Sequence, residues 1–438
     1  KLLMKTFKIK KGHNLKIDGV PNNDIVNIKD PLVVLCHPNS IKNIKPKLLV
    51  KEGDCVKVGS PLFYDKLNEF ALFVSTCSGV VKSIQFGPRR VIECIEIDND
   101  GKNDKEEISN KINRENLLKS GLWTFIRQKP YSKIPHFDSS PKSIYISSMP
   151  TEPFAVDYKY LMSYIDDYLQ EGIDVLKTIF DCDINFVSSD NLTFSHLKSV
   201  NHYVFNKLHP SGNVGIHIHN IDPIKNSSDT RWYLTLQDLN RIGQFFSTDK
   251  YPQYKYYNVG GYSVKTPNIR KSLIGSNIKH IVGDYSPDAL LISGDVLNGK
   301  KVEENFAAGY HDEIISLVKN NDKREFLGWL MPGFKKYTLT NLFFSRMLNN
   351  KKSSLSTNKN GSVRTIVPMG NWDKVMPMNI LSEYLIKSIL AKDIEMMEKL
   401  GIYECSPEDF SLCSFICQSK VEVSKIIEDG LDIMENEA

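Results

Sequence analysis

The chain has 438 residues, 41% apolar and 25% charged, with 56 basic against 52 acidic side chains and a net charge of +4. That length calls for about three or four cores, and the interspersed signs exclude the one-signed field of a nucleic-acid binder. No apolar run approaches the length of a bilayer span, so attachment to a membrane would have to go through a partner.

The opening stretch, Lys1 to Lys11, is broken by Lys5, Lys8 and Lys10, which reads against a secretory signal. Eight scattered cysteines in so long a chain then read as reduced thiols of a cytoplasm rather than a disulfide framework. Residues 1–105 show alternating strands with glycine turns: a Gly53-Asp54 turn, Val80 to Ile84 after Ser78-Gly79, and Arg90 to Ile97. They predict a small all-β sandwich, with a polar linker from Asn99 to Lys105.

Residues 106–255 predict an α/β unit with an open, largely parallel sheet. Helices are expected at Glu115–Ser120, Val156–Lys177 and Asp238–Phe246, and strands at Ser143–Ser147 and Ile184–Val187. Residues 256–330 return to strands, with a bulge at Gly260-Gly261, an edge proline at Pro267 and a short helix from Gly275 to Ile281. They read as a compact β-grasp unit. Residues 331–438 end in helices: Met378–Leu400 closed by Gly401, a start at Ser406-Pro407-Glu408-Asp409, and a terminal helix Val421–Ile433.

Four constellations bear on chemistry. Glu52-Gly53-Asp54, Asp65-Lys66 and Ser78-Gly79-Val80 resemble a lipoyl or biotinyl carrier, but the hairpin after Lys66 reads as longer than a carrier's and no Met-Lys-Met surrounds it. The fold is expected and the carrier function is not. His217-Ile218-His219, read as a strand, would aim both imidazoles to one face, with His209 and Asp222 as further ligands of a weak metal candidate. Cys405, Cys413 and Cys417 lack the C-x2-C spacing of an iron–sulfur cluster and read as buried small hydrophobes. Finally, a dinucleotide or flavin site needs a glycine loop for close backbone approach to phosphate. The segment Gly121 to Pro135 offers one glycine and fills the rest with Trp123, Phe125, Arg127, Lys129 and Tyr131. It reads as a nucleotide-type fold without a nucleotide loop, these five side chains being the candidates for contact with a quinone or a partner.

Several segments together resemble the A subunits of sodium-translocating NADH:quinone oxidoreductases: Gly121-Leu122-Trp123 with Pro130 to Lys133, His209 to Gly212 with Gly215 to His219, Arg324 to Gly333, Val367 to Asn371, and Glu408 to Cys413. The resemblance implies a relation to the flavin- and NADH-binding subunit of complex I and to the Rnf complex C subunit. It implies a lipoyl-like barrel-sandwich, a Rossmann-like domain, an SLBB-like β-grasp domain and a helical domain without an iron–sulfur cluster. It implies no catalytic residue and no cofactor in this chain. NADH, flavins, iron–sulfur chemistry, quinone and sodium would be handled by other subunits. The chain would lie peripherally on the cytoplasmic face of the bacterial inner membrane, docked chiefly to the quinone-site membrane subunit. The alternative is a pocket of its own for ubiquinone or menaquinone, and an independent flavin-dependent oxidoreductase is a more distant one.

Overall fold

The computed structural model describes residues 4–437 except 249, 322–326, 329, 335, 338, 340–342, 348–351 and 360. A barrel-sandwich forms from two small sheets, Val33–Cys36, Ile92–Asn99, Gly79–Phe86 and Cys55–Val56 in one, Pro46–Leu48, Pro61–Asp65 and Asn68–Val74 in the other. Their inward residues, among them Val56, Phe63, Phe73, Val81 and Ile95, close one core. The alternation of these apolar positions with exposed ones is what a two-sheet sandwich requires. The expected long hairpin after Lys66 is instead a tight tip with Lys66 and Leu67 exposed. Asp65 makes the tip tight, because its carboxylate accepts the amides of Leu67 and Lys45 at 3.2 and 2.8 Å.

The first strands do not join this sandwich. Lys5–Phe7 is the edge of the second unit's sheet, and Ile25–Asn27 the edge of the third's. The second unit's sheet runs Lys5–Phe7, Asn201–Phe205, Asp183–Ser188, Ser143–Ser147, Arg231–Thr235, Arg127–Lys129, parallel throughout except for the last, antiparallel strand. Period 2 divides its side chains between two helical layers. Ile144, Ile146, Phe186 and Trp232 pack with Ile173, Leu176, Leu239 and Ile242 of the helices Leu169–Ile179 and Leu236–Ser247. Tyr145, Val187 and Phe205 pack on the opposite face with Leu385, Ile389, Phe410 and Leu431 from the C-terminal helices. The last hundred residues therefore supply one of the two layers this sheet needs.

The third sheet runs Lys300–Lys301, Ala289–Ser293, Ile314–Lys319, Tyr254–Gly261, Asn268–Leu273, Ile25–Asn27. The helix expected after Gly275 is Ile278–Val282. Two long expected helices are interrupted. Val156–Lys177 splits into Tyr158–Leu161 and Leu169–Ile179, because Asn240 clamps the intervening turn: its amide donates to Asp166 O at 3.0 Å and its oxygen accepts Tyr168 N at 2.7 Å. Met378–Leu400 splits into Ser382–Leu390 and Ile394–Lys399, where Lys392 takes a φ of 56° and Asp393 caps the second helix. Gly401, at a φ of 85°, closes that second helix as expected.

Candidate functional site

In an open parallel sheet, ligands bind beyond the carboxyl ends of the strands, where the strand order reverses. Here the chain leaves Ser143–Ser147 for Asp183–Ser188 and Asn201–Phe205 on one side, then returns to Arg231–Thr235 on the other. The crevice between Ser147 and Thr235 is thus the place to examine. A phosphate there would need clustered backbone N–H groups, as at a helix N-terminus.

A carboxylate of this chain lies at each of three turns beside this sheet. Helix Leu236–Ser247 is capped by Thr235, whose hydroxyl donates to Asp238 at 2.8 Å and accepts the Asp238 amide at 3.2 Å. Asp238 is buried in that first turn, where the positive end of the helix dipole favours it. Beyond Asp183–Ser188, the Asp190 carboxylate takes the amides of Leu192 and Thr193 at 2.9 and 2.8 Å, and these bonds hold its pKa below the usual range. The third is the Gly212-Asn213-Val214-Gly215 turn that begins helix Val214–Ile221. Asp409 lies so close that a Cβ on Gly215 would meet its Oδ2 at 2.1 Å, and Asn213 donates to its Oδ1 at 3.2 Å. The sheet is open and mostly parallel, and side-chain carboxylates lie at these three turns.

The segment Gly121 to Pro135, which the sequence offered as the quinone or partner contact, is packed structure. Asn113 caps helix Arg114–Lys119, and Gly121 turns out of it at a φ of 73°. Any side chain at Gly121 would also press into Val74 of the sandwich, at 2.8 Å from its Cβ position. A 3-10 turn, Leu122–Phe125, then leads into the edge strand Arg127–Lys129. Trp123 is fully buried, edge-on to Trp232 at 5.3 Å, with its indole N–H donating to Pro135 O at 2.9 Å. Phe125 stacks on Tyr310 at 4.7 Å and carries the Arg241 guanidinium 4.0 Å from its ring centre. Arg127 lies over Tyr233 at 4.6 Å. Tyr131 is edge-on to Tyr403 at 6.3 Å.

Lys129 is fully buried, with Asp409 Oδ2 at 3.4 Å and Glu408 Oε1 at 3.8 Å. Burial works against its charge, yet the two carboxylates outweigh that and raise its pKa. Burial raises Asp409 in turn, despite the ammonium beside it. The five candidates therefore do not gather round one pocket: Trp123 and Phe125 belong to one apolar core, Lys129 and Tyr131 meet the C-terminal segment, and Arg127 lies over Tyr233.

Four buried ionisable residues that sequence reasoning did not single out lie within electrostatic reach of these groups: Glu152 near Glu408, His311 near Arg127, and Lys255 and Glu313 near Asp238. The His311 ring stands edge-on to Tyr310 at 5.1 Å. Burial and the cations Arg127, Lys255 and Arg241 push its pKa well down. Lys255 donates to Tyr310 O at 3.2 Å. Tyr158 donates to Glu313. No local pattern marks these residues, because they come together from widely separated segments of the chain.

Burial raises Glu152 to about 7, with Asp295 and Glu408 adding repulsion. A carboxyl whose folded pKa lies above its unfolded value costs stability as pH rises from about 4 through about 7. Glu152→Gln should therefore raise the melting temperature at pH 8 and leave it nearly unchanged at pH 5. An equal gain at both pH values would contradict the assignment.

The H-x-H pair is corrected by the fold. Val214–Ile221 is a helix rather than a strand, so positions two apart point to different sides. The alternating Ile216-His217-Ile218 pattern that suggested a strand arises because this helix is covered on most of its circumference, both isoleucines and His217 being buried. His217 Nε2 bonds to Ser211 O at 2.7 Å. His219 pairs with Glu404, and its other nitrogen accepts Asn379 N at 2.9 Å. Asp222 serves Arg231 at 2.8 Å. No group of three or more metal-ligating side chains occurs among the described residues. Cys405, Cys413 and Cys417 are buried in the core shared with the C-terminal helices.

The comparisons define the class of protein. Residues 7–100 match the family model for the NqrA N-terminal barrel-sandwich hybrid domain, and residues 108–251 that for the NqrA second alpha/beta domain. The Na(+)-translocating NADH-quinone reductase A subunit of Pseudomonas aeruginosa (strain PAO1) is 35% identical over 98% of this chain and all of its own length. Those of Hahella chejuensis and Marinomonas sp. are 35% and 32% identical over the same shares. This chain belongs to the family of Na(+)-translocating NADH-quinone reductase A subunits. Among the described residues no helix is long and apolar enough to cross a membrane. A chain from the crystal structure of an air-oxidized NAD+-reducing [NiFe]-hydrogenase is similar at a TM-score of 0.32 and 9% identity over 41% of each chain, a likeness that carries no argument.

Proposed function

We propose that this chain serves a sodium-translocating NADH:quinone reductase without a redox group of its own, docked on the cytoplasmic face to a membrane subunit near the quinone-reducing end. In this reading NADH oxidation, flavins, iron–sulfur chemistry and sodium belong to the partner subunits. Within residues 1–105 the part from Val33 onward acts as a lipoyl-like scaffold, with the first strands lent to the other two sheets. Residues 106–255 act as a Rossmann-like unit without a nucleotide, 256–330 as an SLBB-like β-grasp unit and 331–438 as a helical unit without a cluster. The observation that carries the proposal is the filling of the three anion positions by Asp238, Asp190 and Asp409. A flavin or dinucleotide phosphate would find these positions already taken, by Asp238 held with Arg241, by Asp409 held with Lys129 and by Asp190 on two backbone amides.

The reading is tested on a complex assembled without this chain. Adding the chain back should restore quinone reduction and leave the rate of flavin reduction by NADH unchanged. A flavin that NADH cannot reduce until the chain is added would refute it. The alternative of a quinone pocket lined by Trp123, Phe125 and Tyr131, with Arg127 and Lys129 beside it, gains no support from side chains so deeply packed. Titration of a short-chain quinone against the purified chain is expected to give no saturable binding, and saturation would revive that alternative.

A further inference from the structure

A groove of about 430 Å³ runs where the barrel-sandwich, the helix Leu236–Ser247 and the third sheet meet. Its walls include Tyr168, Tyr254 and Tyr256, with Lys250 and Lys271 among the lining cations. A second hollow of about 300 Å³ shares Tyr254 and Lys271 with it and adds Lys29, so the two form one trench along the surface. Lys271 sits 4.8 Å from the Tyr254 ring centre and 5.9 Å from that of Tyr256.

Lys29, Lys250 and Lys271 form no ion pair among the described residues, although Lys29 and Lys250 are exposed. Two acids also line the trench. Asp30 accepts the Tyr254 hydroxyl at 3.0 Å, and Asp166 lies exposed on the helical wall. Cations thus outnumber acids, in a channel whose tyrosines supply apolar walls with polar tips. The cations are also spread along the trench. Lys29 lines one hollow, Lys250 the other, and Lys271 both. A small-molecule site brings a few polar groups to one point, whereas charges strung along an open channel suit an extended chain.

We infer that this trench docks an acidic, tyrosine- or aliphatic-bearing segment of a partner subunit, an inference that rests on the subunit reading above. The three units contribute to one channel, so the partner would also clamp them together.

The test measures association of the full chain with the remaining subunits of the complex, expressed together and held in lipid nanodiscs, at low and at physiological salt. Lys29→Glu with Lys250→Glu should slow association at low salt at least about tenfold and flatten its salt dependence. The equal charge change Lys10→Glu with Lys11→Glu, at exposed positions of the N-terminal stretch, should stay within about twofold of wild type. Lys271→Gln, which keeps the side chain's bulk, should give an intermediate loss with an unchanged circular dichroism spectrum. If Lys29→Glu with Lys250→Glu associates at the wild-type rate, the trench is not the dock. Displacement of the bound chain by millimolar inorganic phosphate at constant ionic strength would overturn the proposal in favour of a small-anion site. A wild-type chain that fails to associate would instead sink the subunit reading, and the trench with it.

Discussion

Lys129→Met is expected to destabilise the fold by about 3–5 kcal/mol, the usual cost of stripping one partner from a buried ion pair. Lys129 and Asp409 are both fully buried, and the ammonium holds the edge strand Arg127–Lys129 to the turn that carries Glu408 and Asp409. Without it, Asp409 is left in a site that already favours its neutral form. The loss should therefore be larger at pH 8 than at pH 5, because a carboxyl raised above its unfolded pKa loses stability as pH rises through the folded value. Adding Asp409→Leu to Lys129→Met should recover much of the loss, since removing both charges spares the buried orphan. Urea midpoints of the two variants at both pH values check this. A single variant within about 1 kcal/mol of wild type would show that the pair does not join the C-terminal helices to the sheet.

Trp123→Ala should cost about 3–5 kcal/mol, in the range for a fully buried large aromatic side chain. The indole fills the space between Trp232 and Phe180, and its N–H satisfies Pro135 O. The cavity left behind would be apolar and enclosed by the layer of helices, not open to the crevice. The variant should thus lose melting temperature without gaining affinity for quinone or flavin. Acquired binding would mean that Trp123 plugs a ligand site rather than completing a core. Trp123→Phe, which keeps most of the volume, should recover more than half of the stability.

How much of this was legible beforehand depended on the range of the interactions. The strands Ser143–Ser147 and Asp183–Ser188 and the helix Leu236–Ser247 announce themselves by short apolar runs and helical spacing, which are local signals. The breaks in the two long helices were not legible, because Asn240 makes one of them from more than seventy residues away. His217 and His219 misled for a related reason. A helix buried on most sides loses its polar face, and alternating isoleucines then imitate a strand. In the candidate site, the packed character of the segment after Gly121 was readable from Trp123 and Phe125. The carboxylates at the turns were not, since Asp409 reaches Gly215 across almost two hundred positions and Asp238 looks like any helix-start acid. Buried ionisable groups such as Glu152, His311 and Glu313 were equally silent, because spacing says nothing of strands that meet through topology.

The filled anion positions are tested most directly by calorimetric titration of the full-length chain with flavin mononucleotide and with NADH. The structure predicts no saturable heat from either ligand, in the wild type and in Trp123→Phe alike. Stoichiometric binding of either one by the wild-type chain would contradict it, for Asp238, Asp190 and Asp409 would then have to leave the positions on which the argument stands.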